Sequence, residues 1–171
     1  MNLQEHIRVV PGFPKPGINF YDIASLLAHP QAFAACIAQM KDRIAPMAPD
    51  RLMGIEARGF LFAAPLALAL GCGCGMIRKK GKLPGQTLTH HYTLEYGSDT
   101  IELQPDLLPA GSRVVMIDDL LATGGTLEAA RTLVTKAGST VVAGVCVIEL
   151  EGLGGRTAFK APLEALLKAP A

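Results

Sequence analysis

The chain has few of the residues from which disulfide-linked and metal-binding proteins are built. Its 171 residues include no tryptophan and only four cysteines. Cys72 and Cys74 are separated by a single residue, whereas zinc and redox motifs use two, and no histidine completes a metal site. We therefore expect reduced core thiols in a cytoplasmic protein.

The chain also lacks a large charge imbalance and a long apolar run. Its formal net charge is +1, which offers no electrostatic basis for binding a nucleic acid. The longest apolar run, residues 60–70, contains Pro65 and is shorter than the roughly 20 residues of a membrane-spanning helix. Residues 1–6 do not read as a signal peptide. We therefore expect no nucleic-acid partner, no membrane association and a cytoplasmic location.

What the chain does have is the composition of a globular protein. Hydrophobic residues make up 50% of it and charged residues 18%. Neither an internal repeat nor a low-complexity linker interrupts it. A chain of this length can bury a proper hydrophobic core, so residues 1–171 are predicted to form a single domain.

The most informative stretch begins with the apolar residues 114–117, Val-Val-Met-Ile, which predict a buried strand. Asp118 and Asp119 follow directly. Because buried carboxylates are costly, the pair should lie at the carboxyl end of the strand, where the chain leaves the core. A short loop, residues 122–126, then leads into residues 127–137, whose apolar side chains recur at the three- and four-residue spacing of a helix.

This order of strand, acidic pair, glycine loop and helix suits a phosphorylated sugar. Glycine lets the backbone approach a ligand closely, and the free N–H groups at a helix start attract phosphate. Two carboxylates are acceptors for a ribose diol, or for a metal ion that the diol holds. The structural alternative is that the glycines form only a tight turn and the aspartates only cap the helix.

The stretch resembles the motif with which type I phosphoribosyltransferases bind 5-phosphoribosyl diphosphate (PRPP). The resemblance implies that Asp118 and Asp119 hold the ribose hydroxyls. It also implies that the loop binds the 5′-phosphate, through Ala122, Thr123, Gly124, Gly125 and Thr126.

A second segment, Phe-Pro-Lys-Pro-Gly at residues 13–17, cannot be helical and by itself predicts an N-terminal arm packed on the core. It resembles the hood of adenine phosphoribosyltransferases. The resemblance implies that Phe20 stacks on adenine, that backbone groups of Asn19 and Tyr21 read the base edge, and that Leu150 closes the other face of the slot. Family members often have a basic residue where this chain has Tyr21, a departure that matters little for a main-chain contact.

Basic residues mark two further segments. Glu56 and Arg58 flank a predicted strand-to-helix turn, where they could form an ion pair or where Arg58 could meet an anion. Residues 78–85 carry four cations beside glycines and a proline, a composition that suits either a solvated face or a mobile lid over a diphosphate. The resemblance implies that Arg58, Lys79 and Lys82 contact the diphosphate.

Residues 87–103 predict a hairpin with its turn at residues 97–98. His90 and His91 are adjacent on a predicted strand, so they should point to opposite faces rather than share one centre. Glu95 is one carboxylate on this hairpin. It corresponds to the lid glutamate of adenine phosphoribosyltransferases, for which a role in handling the purine proton is proposed.

The resemblance implies an α/β fold in which helices flank a mainly parallel sheet. A small N-terminal hood, about residues 1–30, and a flexible β-hairpin lid, about residues 79–104, would cover the carboxyl ends of the strands. Residues 162–168 predict a short final helix.

The implied function is purine salvage, in which PRPP and adenine give AMP and pyrophosphate, with catalytic roles for Arg58, Glu95, Asp118 and Asp119. Mg²⁺ would bind through PRPP rather than in a protein-only cage. The family also implies a homodimer. Two alternatives are open. The base could be another purine such as hypoxanthine or guanine, or the chain could be a non-catalytic PRPP-sensing regulator, although it has no spare length or basic patch for a DNA-binding module.

Overall fold

The computed structural model describes residues 1–94 and 97–171. Within these ranges the strands are β1 (Arg8–Pro11), β2 (Asn19–Asp22), β3 (Arg51–Ile55), β4 (Gly73–Lys79), β5 (Leu88–Thr93), β6 (Ser98–Leu103), β7 (Arg113–Leu121), β8 (Thr140–Glu151) and β9 (Leu163–Pro170). The α-helices are α1 (Ala24–Ala28), α2 (Pro30–Ile44), α3 (Gly59–Leu70), α4 (Gly125–Lys136) and α5 (Gly155–Ala158). Single 3₁₀ turns occupy Leu3–His6, Ala45–Met47 and Pro105–Leu107. None of the helices in these ranges is long and apolar enough to cross a membrane.

The main sheet has the strand order β5-β6-β4-β3-β7-β8-β9. Pairing is parallel from β4 through β3, β7 and β8 to β9, and antiparallel only where β6 joins β4 and β5. The predicted architecture, a mainly parallel sheet flanked by helices, is therefore confirmed. The carboxyl ends of β3 and β7 meet at one edge of this sheet, which is where open α/β folds bind ligands.

Different helices cover the two faces of the sheet. Successive side chains of a strand point to opposite faces. On β7, Val115 and Ile117 join a buried cluster with α2 and α3, whereas Val114 and Met116 join a second cluster with α4. Both faces of β7 are thus buried, which is why its sequence is continuously apolar rather than alternating.

The acidic pair lies within β7 and not at its end, where the sequence predicts it. β7 does not end before Asp118, because it stays paired with β8 as far as Leu121. Its pairing with β3, however, ends at Gly54 and Ile117. At Asp118 and Asp119, β7 is therefore paired with β8 alone. The side of β7 that β3 no longer covers opens toward the site.

The predicted helix at residues 162–168 is wrong, because this segment forms the edge strand β9. Leucine, alanine, glutamate and lysine favour a helix by intrinsic propensity, but that preference is weak. Parallel pairing with β8 runs from Gly144 opposite Leu163 to Glu151 opposite Pro170, and Leu163 and Ala169 are buried by it. Tertiary pairing thus overrides the local preference.

The segments predicted to be hood and lid have distinct structures. β1 and β2 form a separate antiparallel pair. The predicted hairpin is present as β5 and β6, and β6 also pairs with β4. The hairpin is therefore an extension of the main sheet, and its mobility stays a prediction.

Candidate active site

A cavity of about 230 Å³ opens at the carboxyl ends of β3 and β7. It combines an arginine, a lysine and two aspartates with a glycine loop at a helix start. Its lining consists of Ile55, Glu56, Ala57, Arg58, Ile77, Lys79, Ile101, Asp118, Asp119, Leu120, Leu121, Ala122, Thr123, Gly124, Gly125, Thr126, Leu127 and Cys146.

The acidic pair dominates the electrostatics of this cavity. Asp119 is 3% exposed, and its Oδ2 atom accepts no hydrogen bond within the described residues. The Oδ1 atom of Asp118 accepts a hydrogen bond from the Asp119 backbone N–H at 2.9 Å. Burial, and then the neighbouring charge of Asp119, raise the pKa of Asp118 well above its usual range. Two carboxylates in this state favour a ligand that brings a cation or hydroxyl groups.

Arg58 supplies the positive charge nearest to the pair. Its Nε atom lies 3.0 Å from the buried Oδ2 of Asp119, although the N–H direction does not meet hydrogen-bond geometry. On its other side, the guanidinium carbon lies 5.5 Å from the centre of the Phe20 ring, within cation–π range. Arg58 therefore connects the acidic pair with the aromatic residue predicted to stack on the base.

The predicted alternative of an ion pair between Glu56 and Arg58 is wrong. Glu56 pairs instead with Arg78, whose Nη2 lies 3.1 Å from Oε1, and it accepts the backbone N–H of Lys79 at 2.7 Å. Glu56 therefore neutralises Arg78 and not Arg58. The positive charge of Arg58, which lines the cavity, is left to act on the acidic pair and on a ligand.

Close backbone contacts place the start of α3 at the site. A Cβ atom on Gly59 would lie 2.5 Å from the Ile117 carbonyl oxygen, so only glycine allows α3 to start against β7. This contact holds the preceding Arg58 beside the acidic pair.

All five residues of the predicted phosphate loop, 122–126, line the cavity. Gly124 has φ of +81° and immediately precedes α4, whose first two residues, Gly125 and Thr126, line the cavity. The first N–H groups of a helix have no partner within the helix. A Cβ on Gly124 would meet the Gly155 carbonyl at 2.5 Å, and a Cβ on Gly155 would meet the Ala122 carbonyl at 2.2 Å. The start of α5 thus packs directly against the backbone of the loop.

Sequence reasoning did not identify Gly155 or the ion pair that holds it in place. Arg156 donates to both carboxylate oxygens of Glu149, at 3.0 and 2.6 Å, and to the Leu163 carbonyl at 2.6 Å. Glu149 is 8% exposed, whereas Arg156 lies on the surface, so the pair fixes a surface arginine to a buried carboxylate. Its only sign in the sequence is a glycine-rich turn after Leu150.

The two predicted diphosphate lysines are not equivalent. Lys79 lines the cavity and forms an ion pair with Asp99. Lys82 is exposed and does not line it; its backbone N–H donates to Glu102 at 2.9 Å. The structure therefore brings Lys79, but not Lys82, to the acidic pair and the loop.

Glu102 is a buried carboxylate that the sequence does not reveal as important. It is 3% exposed and accepts the backbone N–H groups of Lys82 at 2.9 Å and Leu83 at 2.8 Å. Burial acts to raise the pKa of Glu102, but the backbone N–H groups of Leu83, Gly81 and Lys82 outweigh it and lower that pKa. Glu102 thus anchors the basic loop without lining the cavity.

The residues predicted to bind the base lie beside the cavity rather than in its lining. Phe20 is half-buried and packs edge-on against Phe13, with ring centres 5.1 Å apart. Tyr21 is buried, and its hydroxyl donates to the Pro170 carbonyl at 2.7 Å, so its side chain is held against the end of β9. Asn19 is half-buried on β2, and Leu150 is half-buried against the core.

The remaining predictions concern the hairpin. Glu95 lies outside the described residues. His90 contacts Lys136 at 3.2 Å and His91 contacts Thr100 at 3.0 Å, so the two rings face different partners, as the strand alternation predicts. Across residues 1–94 and 97–171, no three histidine, cysteine or acidic side chains are grouped closely enough to hold a metal ion.

Comparison with known proteins places this site in a family. A family model described as phosphoribosyl transferase domain matches residues 22–157. Over 167 residues the chain is 58% identical to the adenine phosphoribosyltransferase of Rhodospirillum rubrum, with 98% of each chain covered. The chain belongs to the adenine phosphoribosyltransferase family.

Solved adenine phosphoribosyltransferases have the same fold. The enzyme of Thermoanaerobacter pseudethanolicus superimposes with a TM-score of 0.94 at 42% identity, covering 98% of each chain. That of Saccharomyces cerevisiae, solved with adenine and an imino-altritol bisphosphate, gives 0.91 at 39% identity over 96% of each chain. The family resemblance inferred from the motifs is confirmed over nearly the whole length.

The strained acidic pair generates the first prediction. An acid whose pKa is raised by folding lowers stability as pH rises above its unfolded value of about 3.9. Asp118→Asn should therefore stabilise the fold at neutral pH, while reducing the use of PRPP about 10- to 100-fold through the loss of charged hydrogen bonds. The gain should vanish below about pH 4.

Thermal unfolding between pH 3.5 and 8, together with the rate of pyrophosphate release, measures both effects. Asp106→Asn, at an exposed position on the 3₁₀ turn Pro105–Leu107, is the matched control and should change neither. A less stable Asp118→Asn variant would show that the pair is not under electrostatic strain.

Glu102 generates the second prediction, with the opposite dependence on pH. An acid whose pKa is lowered by folding contributes stability above its unfolded pKa of about 4.3, and that stability is lost as pH falls below it. Glu102→Gln should cost about 1.5–3 kcal/mol at pH 7 because charged hydrogen bonds are lost. The unfolding temperatures of the variant and the parent should converge below about pH 4. A constant difference at every pH would contradict a charge-based role.

Proposed function

We propose that this chain transfers the 5-phosphoribosyl group from PRPP to adenine, giving AMP and pyrophosphate, in purine salvage. The observation that carries the proposal is one cavity that joins an acidic pair to a phosphate-type loop, with Arg58 linking it to Phe20. The S. cerevisiae relative, solved with adenine, supports the choice of base. The reaction is a pentosyl transfer, in which the C1–oxygen bond to diphosphate breaks and a bond from C1 to the purine N9 forms.

The first contribution of the chain is to fix the ribose phosphate. The loop and the first N–H groups of α4 bind the 5′-phosphate, since a helix start attracts anions. Asp118 and Asp119 accept hydrogen bonds from the ribose hydroxyls at the other end of the cavity. Holding both ends of the sugar orients C1 toward the incoming base, and orientation of this kind can contribute several kcal/mol to the rate.

The second contribution is stabilisation of the departing diphosphate. Arg58 and Lys79 line the cavity, and their charges match those that develop on the leaving group. To meet it, each cation exchanges its present carboxylate partner, Asp119 or Asp99, for the ligand. Lys82, on the neighbouring loop, is the second lysine that we assign to this role, which requires its side chain to turn inward.

The acidic pair also fits Mg²⁺ carried by PRPP. The Oδ2 atom of Asp119 is buried without a hydrogen bond, and Asp118 is ionised with difficulty, so the pair favours an added cation. When bound, Mg²⁺ supplies charge neutralisation to the diphosphate oxygens. Asp118 and Asp119 would hold it indirectly, through the ribose hydroxyls.

The third contribution is the base slot. Phe20 stacks on adenine on one side and Leu150 closes the other. The side chain of Tyr21 is already bonded to Pro170, which leaves its backbone, with that of Asn19, to read the base edge. Glu95, from the hairpin, would accept or return the proton of the purine nitrogen.

Base preference tests this proposal. Adenine offers a 6-amino donor and an N1 acceptor, whereas hypoxanthine offers the reverse, and backbone groups cannot change roles by rotating. Two buried mismatches at about 1–3 kcal/mol each predict that kcat/KM favours adenine by about 10³-fold. Phe20→Ala should raise the KM for adenine, while Tyr21→Phe should leave the base preference unchanged.

The measurement is nucleotide formed from PRPP with adenine, hypoxanthine or guanine as the base. A ratio near one, or one that favours hypoxanthine or guanine, would overturn the assignment of the base. Binding of PRPP with no nucleotide formed from any base would instead indicate a PRPP-sensing regulator.

We also propose that the chain functions as a homodimer that uses α3. The outward side of this helix carries Leu61, Ala64, Leu68 and Ala69 at helical spacing, and Leu68 is 87% exposed. An exposed apolar stripe of this kind supports a contact with a second chain on this side of α3. α3 starts at Gly59, next to Arg58, so a partner chain would lie beside the active site.

The fourth prediction is that Leu68→Glu dissociates the dimer, because it places a charge within an apolar contact. Light scattering after size exclusion, at one fixed protein concentration, gives the mass of each variant. Leu107→Glu, at a leucine that is 62% exposed outside α3, is the control and should remain dimeric. A dimeric Leu68→Glu variant would place the interface elsewhere.

A further inference from the structure

Two hydroxyl groups connect the hairpin with the phosphate loop. The Oη atom of Tyr92, on β5, lies 3.1 Å from the Oγ1 atom of Thr126, in the first turn of α4. Thr126 lines the cavity, whereas Tyr92 does not. The contact therefore joins Thr126, which can meet a ligand in the cavity, to Tyr92, which lies outside the lining.

The Tyr92 ring is held firmly enough to act as a fixed partner. It is 9% exposed and belongs to the buried cluster that contains Leu127 of α4 and Ile101 of β6. Because the ring is buried in this cluster, its hydroxyl has little freedom to move away from Thr126.

The effect of this contact depends on which of the two hydroxyl groups donates the hydrogen bond. A threonine hydroxyl donates one hydrogen bond and accepts up to two. If Thr126 donates to Tyr92, it has no proton left for an anion in the cavity. If Tyr92 donates to Thr126, the Thr126 proton is free to point at a phosphate oxygen, and a charged acceptor makes this the stronger arrangement.

We propose that Tyr92 is a positioning residue that directs the Thr126 hydroxyl toward the 5′-phosphate of the substrate. The proposal rests on the proposed function, because it takes the loop as the phosphate site. It adds that β5 is tied to the occupied loop by this hydrogen bond, so that binding of the phosphate stabilises β5.

A double-mutant cycle tests the coupling. Tyr92→Phe keeps the ring and removes the hydroxyl, and Thr126→Val removes the other partner at constant size. We expect Tyr92→Phe to raise the KM for PRPP about 3- to 10-fold, the value of one hydrogen bond, with the KM for adenine unchanged. Adding Tyr92→Phe to Thr126→Val should have no further effect, since the coupling is already lost. Additive effects of the two changes would overturn the proposal.

Thr132→Val is the matched control on the same helix, because its hydroxyl donates to the Glu128 carbonyl and not to Tyr92. It should leave both KM values unchanged. A merely structural role of Tyr92 would lower the unfolding temperature and raise both KM values together. That outcome would also contradict the proposal.

A binding experiment separates this proposal from the assigned reaction. Calorimetry with ribose 5-phosphate, which needs no turnover, should show weaker binding to Tyr92→Phe than to the parent chain. Hydrogen exchange should show that ribose 5-phosphate protects residues 88–93 in the parent chain but not in the variant. Unchanged binding and protection in the variant would overturn the role of Tyr92 while leaving the reaction intact. Weakened binding in a chain that forms no nucleotide would uphold that role and refute the reaction.

Discussion

The repulsion between Asp118 and Asp119, two carboxylates adjacent on β7 and largely removed from water, dictates what must surround them. Among the described residues, Arg58 is the one cation within ion-pair distance of Asp119. Burial, and then the neighbouring charge of Asp119, raise the pKa of Asp118. The pair is therefore incomplete without a ligand. A ribose diol, with the cation that PRPP carries, supplies the missing hydrogen-bond donors and positive charge, so binding relieves an unfavourable interaction in the free protein.

Such a pair persists because the sheet holds it in place. β7 is buried on both faces and stays paired with β8 beyond the acids, although β3 has already ended. The three glycines at positions 59, 124 and 155 each approach a carbonyl oxygen more closely than a Cβ atom would allow. These contacts fix the starts of α3, α4 and α5 around the same opening. The site is thus formed where backbone segments pack without side chains between them.

The same arrangement separates residues that bind from residues that position. Arg58, Lys79 and the loop line the cavity and can meet a ligand. Glu56 also lines the cavity, whereas Glu102 and Glu149 do not, and all three glutamates are occupied by arginine side chains or backbone N–H groups. Each of these glutamates holds a segment next to the site: the strand end with Arg78, the basic loop, and the turn before α5. Negative charge is thereby present close to an anion-binding site, but it is neutralised before it can repel the ligand.

The sequence by itself determined the strand, acidic pair, glycine loop and helix, because these follow from local periodicity and from the chemistry of adjacent residues. It also indicated the family through motifs in chain order. Only the tertiary structure decided that Arg58 pairs with Asp119 rather than with Glu56, that residues 163–170 form a strand, and that Glu102 and Gly155 support the site. The reason is the same in each case: the deciding partner lies 19 to 61 residues away in sequence, and the fold brings the two together.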